Sequence, residues 1–180
     1  MYSVVLQAPP NKDEKSVRPL TPTRLLGLLD KVKAFPLLQT YHPAAVAGVE
    51  HRDLRAEPQI SDCGEYEVQL TEAFRFPEQD TLVFHVTVNN RTDAPLQHLP
   101  ELIEVRVGDR VFNPSLTDLV SVIGPGDTAS GYVAISGGPR GQRNDLSLKN
   151  EFTFALARLD PEIEAAVNDF KNIETAELPK

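Results

Sequence analysis

Hydrophobic and polar positions change their period near residue 49 of this 180-residue chain. Before that point, the stretch "TPTRLLGLLDKVKAF" (21–35) has helical spacing. Its apolar side chains at that spacing are Leu25, Leu28, Leu29 and Val32. Thr21 can cap such a helix, and Pro22 suits the first helical position because that position needs no backbone N–H. The pattern therefore predicts an amphipathic helix that ends at Pro36.

After residue 49 the period becomes two, which indicates β-strands. In "EYEVQLTEAFRF" (65–76), Tyr66, Val68 and Leu70 alternate, and the alternation is interrupted before Phe74 and Phe76. We expect a bulge or a bend there. In "TLVFHVTVNN" (81–90), alternate apolar residues share one face, and the opposite face carries His85. His85 is therefore predicted to belong to the sheet, on its less buried face.

Three later stretches continue the strand pattern. "LIEVRVGDRVFNP" (102–114) predicts a hairpin that turns at Gly108-Asp109. "VIGPGDTASGYVAIS" (122–136) places a Gly-Pro-Gly turn before a strand, and "LSLKNEFTFALARL" (146–159) predicts a last strand. No helical crossover separates the strands between 65 and 158. The fold class is therefore predicted to be mainly β, an antiparallel sandwich or barrel rather than a parallel α/β sheet.

The pattern divides the chain into three parts. Residues 1–48 hold a short strand at 3–7, a linker and the helical segment; residues 49–159 form the sandwich domain; residues 160–180 hold a short helix over 160–172 and a polar tail. Asp160 and Pro161 supply the cap and first turn of that helix. The strand at 3–7, separated by its linker, could exchange into a second copy, so a homo-oligomer is one expectation.

Composition excludes several classes of function. The formal net charge is −8, from 18 basic and 26 acidic side chains, and no dense basic cluster is present to bind nucleic acid. No apolar run approaches the roughly 20 residues that span a bilayer. A single cysteine, Cys63, excludes an internal disulfide and a multi-cysteine zinc site. The histidines lack zinc-site spacing, so no metal and no cofactor is predicted.

A catalytic site is the alternative that the sequence leaves open. His51 and Asp53 share a face if their segment is extended, and with Glu50 they would supply part of a general-base arrangement. No G-x-S-x-G nucleophile turn accompanies them. A hydrolase built around Glu50, His51 and Asp53 is therefore the second hypothesis, and a small-ligand or carbohydrate carrier the third.

Binding residues are predicted in the glycine-rich loop "SGGPRGQRND" (136–145). Its polar side chains are Arg140, Arg143, Asn144 and Asp145. Loops at the ends of a sandwich commonly carry binding residues, and this one could meet an anionic ligand or an acidic partner surface. Separately, Asn90-Arg91-Thr92 matches a glycosylation acceptor in a turn.

The order of strands and turns in residues 65–158 resembles that of the immunoglobulin-like sandwiches that occur as accessory domains on bacterial envelope and secreted proteins. The resemblance is carried by "TLVFHVTVNNRTDAPLQHL", "IEVRVGDRVFNP", "IGPGDTASGYVAIS" and "LSLKNEFTFAL". The chain departs from antibody-type domains because it has no Trp and no second Cys. The resemblance implies a non-catalytic role in adhesion, assembly or partner binding, and it transfers no site residues.

The expected function is therefore a non-enzymatic module that binds a protein partner in a bacterial envelope or secreted setting. The N-terminus shows no export signal. An extracytoplasmic location would accordingly require that a signal had been removed, and a cytoplasmic location is expected otherwise.

Overall fold

The computed structural model describes residues 20–137 and 146–159. Within them the chain is mainly β, with antiparallel sheets and two α-helices. The predicted strand at 3–7, the loop residues Arg140, Arg143, Asn144 and Asp145, and the predicted helix at 160–172 lie outside the described residues.

Two consecutive helices open the described part of the chain. α1 spans Pro22–Lys33, and the Thr21 hydroxyl caps it by accepting a 3.3 Å hydrogen bond from the Arg24 N–H. α2 spans Phe35–Tyr41. The expectation that Pro36 ends the helical segment was wrong: α1 ends before Ala34, and Pro36 lies in the first turn of α2. Proline is tolerated there because first-turn N–H groups have no intrahelical acceptor.

Eleven strands are assigned within the described residues. They are β1 (Glu50–Asp53), β2 (Gln59–Asp62), β3 (Tyr66–Phe76), β4 (Thr81–Asn90), β5 (Leu96–Gln97), β6 (Glu104–Val107), β7 (Arg110–Phe112), β8 (Leu116–Thr117), β9 (Val122–Ile123), β10 (Thr128–Ser136) and β11 (Phe152–Ala155). The main sheet has the order β1-β3-β4-β10-β8, and β2 also pairs with β3. A second sheet has the order β11-β6-β7, and β5 pairs with β9. The predicted hairpin is β6-β7, with Gly108 at a φ of +58° in its turn.

The predicted irregularity in β3 is a β-bulge. The register with β4 shifts between Leu70 and Glu72, which leaves Thr71 as the extra residue. An extra residue reverses the face that later side chains occupy. Leu70 therefore packs between the two sheets, and Phe74 packs under the helices.

The main sheet has a hydrophobic core on each face. One core lies between it and the second sheet, and includes Phe84, Val105 and Phe154. The other lies between the main sheet and the helices, where Leu29 and Phe35 join Phe74, Val83 and Ala134. These residues occupy only part of the helix-side face of the sheet, and most side chains on the remainder are polar.

Candidate functional site

The pairing of the strands places eight side chains on the helix-side face of the main sheet, next to the area that the helices cover. Residues opposite one another in adjacent strands point to the same face. One row across β2, β3, β4 and β10 is Ile60, Gln69, Thr87 and Ser130; the next is Asp62, Glu67, Asn89 and Thr128. We call these eight residues the polar face. All are exposed or half-buried except Glu67, which is buried.

Hydrogen bonds and ion pairs fix several of these side chains. The hydroxyls of Thr87 and Ser130 lie 2.9 Å apart, and the Gln69 amide donates to Glu67 at 2.6 Å. Arg91 forms ion pairs with both Glu67 and Asp62. The pKa of Asp62 is lowered because its carboxylate accepts a hydrogen bond from the Gly64 N–H and another from Arg91. Five of the eight side chains of the polar face are therefore held by hydrogen bonds or ion pairs.

In the adjoining row Glu72 lies opposite His85 of β4, and its carboxylate also reaches His51, which lies in β1 opposite Phe74. His51 Nε2 lies 3.2 Å from Glu72 Oε1, and His85 Nδ1 lies 3.5 Å from Glu72 Oε2. The His85 ring stacks on Tyr132 at 4.6 Å, and burial raises the pKa of Tyr132. His85 thus lies in the sheet and is half-buried, as the alternation in β4 predicts. The bulge in β3 brings both Thr71 and Glu72 to its ring.

His51 joins this row to the helix layer. Its ring stacks on Phe74 at a centroid distance of 4.5 Å and contacts the Phe35 ring of α2 at 4.8 Å. Its ring is therefore packed between aromatic side chains, and its Nε2 meets a carboxylate. These contacts attach α2 to the sheet and give His51 a structural role.

Within the described residues, neither His51 nor His85 shows the two-sided contacts of a catalytic proton relay. A catalytic histidine uses one ring nitrogen on the nucleophile and the other on an orienting carboxylate. At His85 the same atom, Nδ1, meets both the Thr71 hydroxyl at 3.0 Å and Glu72. That hydroxyl also donates to the His85 carbonyl at 3.1 Å. At His51, no hydroxyl contact occurs within the described residues.

The other members of the predicted hydrolase site form their ion pairs with arginines, although Asp53 is close enough to His51 for an electrostatic interaction. Asp53 forms an ion pair with Arg55, whose side chain and backbone N–H hold the pKa of that carboxyl well below its usual range. Glu50 forms an ion pair with Arg75. The carboxylate on His51 is Glu72, 21 residues away, which the local spacing could not reveal.

Asn90 is a buried structural residue. Its side-chain amide donates to three backbone carbonyls, those of Ala94, Ile123 and Gly124, at 2.8 to 3.2 Å. Its side-chain oxygen accepts hydrogen bonds from the N–H and the hydroxyl of Thr92. The folded chain therefore does not present this nitrogen to a glycosyltransferase, although the sequence around Asn90 matches an acceptor.

We also searched the described residues for metal sites, clefts and membrane-spanning helices. Among residues 20–137 and 146–159, no group of three His, Cys, Asp or Glu side chains is arranged as a metal site. A shallow cleft of about 220 Å³ lies between the Pro100–Leu102 turn and β8, lined by Glu101 and Thr117 among others. It does not include His51. None of the helices in the described parts of the chain is both long and apolar enough to cross a membrane.

No protein-family model and no curated protein matches this chain. Among solved structures, the chain is similar to a conserved hypothetical protein from Bacillus anthracis, whose crystal structure was determined at 2.2 Å resolution. The two are 9% identical; the similarity covers 63% of this chain and 98% of the other, with a TM-score of 0.39.

Proposed function

We propose that this protein is a non-enzymatic module that binds a protein partner through the polar face. One observation carries the proposal: the register brings eight side chains from four strands onto one face of the sheet, beside the part that the helices cover. An exposed sheet surface with hydrogen-bonding groups suits a broad macromolecular contact better than an enclosed small ligand.

The chemistry of the face suits a protein surface. Ile60 is 58% exposed and offers an apolar anchor, while Thr87, Asn89 and Ser130 offer donors and acceptors beside it. Arg91 and Asp62 form a charged rim. Ile60 lies at the β2 end of its row, so the apolar anchor is next to the hydrogen-bonding groups, and side chains that are already held in place lose little conformational entropy on binding.

A lysate capture experiment tests this proposal. Tagged full-length protein is compared with Ile60→Arg and Thr87→Arg variants on the polar face, and with Val111→Arg as the matched control. Val111 is 47% exposed on β7 of the second sheet. We expect proteins that the wild type and the control retain and that both polar-face variants lose. Retention of every captured protein by both variants would contradict the proposal.

The hydrolase alternative has its own test. His51→Ala should lower thermal stability because it removes ring contacts with Phe35 and Phe74. It should leave unchanged any hydrolysis of ester, peptide or glycoside substrate panels. A hydrolytic activity that the wild type has and a folded His51→Ala variant lacks would favour the enzyme instead.

We further propose that the two sheets form an immunoglobulin-like sandwich. The antiparallel pairing and the core shared by Phe84, Val105 and Phe154 support this finer architecture. An experimental structure tests it through the strand order and the packing angle of the sheets. Sheets packed at near right angles, or strands that continue from one sheet into a closed barrel, would contradict it.

A further inference from the structure

A small sheet face lies on the outside of β5. β5 pairs with β9, where Gln97 lies opposite Val122. On the other side of β5, the Leu159 N–H donates to the Gln97 carbonyl at 3.1 Å, and the Leu99 N–H donates to the Ala157 carbonyl at 3.0 Å. Residues opposite one another in paired segments point to the same face. One row of the face is therefore Val122, Gln97 and Leu159, and the next is Leu99 and Ala157. We call these five residues the β5 face.

Hydrophobic residues make up most of the β5 face, although it points away from the core. Leu96, Ile123 and Leu156 alternate with its members and are buried between the two sheets. Val122 is 51% exposed, and the other four members are half-buried. Val120, two residues before Val122, is also 51% exposed. The solvated face of an antiparallel sheet is usually polar, so an outward face with a single polar member is expected to have a cover.

The outward face of residues 153–159 changes from polar to apolar along the chain. At its start, Thr153 is exposed and lies opposite the exposed Arg106 of β6. Glu104, opposite Ala155, is exposed as well. Charged residues therefore border the β5 face on one side, and the chain leaves the face on the other.

Residues 160–180 follow directly from the β5 face, because Leu159 is both a member of the face and the last of the described residues. The sequence predicts an amphipathic helix over 160–172, with an apolar stripe of Ile163, Val167 and Phe170. A helix of this length is marginally stable in water unless it packs its apolar side. The segment therefore needs an apolar surface, and the nearest one along the chain is the β5 face.

We propose that residues 160–172 turn back after Leu159 and pack their apolar stripe on the β5 face of the same chain. The lengths match: a helix over 161–172 is about 18 Å long, and the strand from Leu159 back to Ala155 is roughly 14 Å long. The covalent connection favours this occupant, because a segment joined to the border of its site has an effective concentration on the order of millimolar. The inference does not rest on the proposed function, since the polar face lies on the main sheet.

Hydrogen exchange of the full chain, read by mass spectrometry, tests this docking. A packed helix exchanges slowly and an unpacked short helix exchanges fast, so the amides of residues 163–171 should be protected in the wild type. Ile163→Asp removes an apolar contact from the segment, and Val122→Asp removes one from the β5 face. We expect each variant to speed exchange at 163–171 by roughly tenfold or more.

Leu37→Asp is the matched control. Leu37 is 65% exposed on α2, on the opposite side of the main sheet from the β5 face, and its substitution should leave exchange at 163–171 unchanged. Exchange at the buried amides of β4 reports whether the Val122→Asp variant is folded. If that variant unfolds, Ile163→Asp carries the test, because it changes none of the described residues. The amide NMR signals of Leu99 and Val122 should then shift in Ile163→Asp relative to the wild type.

Wild-type amides at 163–171 that exchange as fast as those of an unfolded peptide would overturn the proposal. So would protection that persists in a folded Val122→Asp variant, since the segment would then lie on another surface. Unchanged signals of Leu99 and Val122 in Ile163→Asp would count equally against it. Protection that grows with protein concentration would assign the β5 face to the segment of a second copy, and would also overturn docking within one chain.

Discussion

The hydroxyl of Ser61 in β2 accepts a 3.0 Å hydrogen bond from the backbone N–H of Phe154 in β11. The contact belongs to a series: the Gln59 side chain accepts from the Phe152 N–H, and the Tyr66 hydroxyl accepts from the Leu156 N–H. Side-chain oxygens of the main sheet thus satisfy an edge of the second sheet with which none of the described strands pairs. The two sheets are joined by polar contacts as well as by their apolar core.

Ser61→Ala should lower the free energy of unfolding by about 1–3 kcal/mol, because it leaves the buried Phe154 N–H without an acceptor. Chemical denaturation at neutral pH measures this. Ser130→Ala is the matched control, since its hydroxyl bond to Thr87 is exposed and its loss should cost no more than about 0.5 kcal/mol. Equal losses in the two variants would show that the β2–β11 contact is not a stabilising one.

Much of the fold follows from local sequence pattern. Capping and helical spacing predict α1, alternation predicts β4, and the interruption after Leu70 predicts the bulge in β3. The pattern does not predict α2, because a proline after a helical stretch indicates its end, although proline also suits a first turn. The Ser61–Phe154 contact joins residues that are 93 positions apart, so no local pattern predicts it.

The candidate site is harder to predict from the sequence than the fold. The polar face exists only once the register of β2, β3, β4 and β10 is known, and a shift of one residue would send every one of its side chains to the other face. The bulge adds to this difficulty because it brings Thr71 and Glu72 together at His85. A period-two pattern alone places them on opposite faces.

Gly131→Ala should destabilise the fold by about 1–3 kcal/mol through overpacking. A Cβ atom at position 131 would lie 2.8 Å from Leu119 Cα, a backbone atom that cannot move away alone. Gly27→Ala in α1 is the matched control: nothing lies within 4 Å of its Cβ position, and alanine is the better helix former by about 1 kcal/mol. Thermal unfolding should show a lower midpoint for the first variant and a higher one for the second; a neutral Gly131→Ala would contradict the close approach.

His98 should make stability depend on pH. Its side chain is fully buried, its Nε2–H donates to the Val120 carbonyl at 2.8 Å, and burial lowers its pKa from the ordinary 6.5. Below pH 6.5 the unfolded chain therefore binds a proton that the folded chain does not bind. Proton binding therefore stabilises the unfolded chain below pH 6.5. The free energy of unfolding falls with the pH, by up to about 1.4 kcal/mol per pH unit, until the folded-state pKa is reached.

Urea denaturation between pH 7.5 and pH 5 measures this dependence. His98→Gln keeps an amide N–H that can reach the Val120 carbonyl but does not titrate, so it should lower stability at pH 7.5 and flatten the decline toward pH 5. The exposed His42 is the control position; His42→Gln retains His98 and should retain the decline. A His98→Gln profile parallel to that of the wild type would assign the decline to other groups.

Asn90→Asp should lower the free energy of unfolding by about 3 kcal/mol or more at neutral pH. The Asn90 amide nitrogen faces the carbonyls of Ala94, Ile123 and Gly124, so an aspartate oxygen would replace a shared donor with a fourth acceptor in a buried site. Asn89→Asp, on the half-exposed polar face of the same strand, is the matched control: it lies opposite Glu67, whose charge Arg91 balances, so the added carboxylate should cost clearly less than the change at Asn90. Chemical denaturation of both variants measures the difference, and an Asn90→Asp protein as stable as Asn89→Asp would show that the three carbonyls do not depend on that amide.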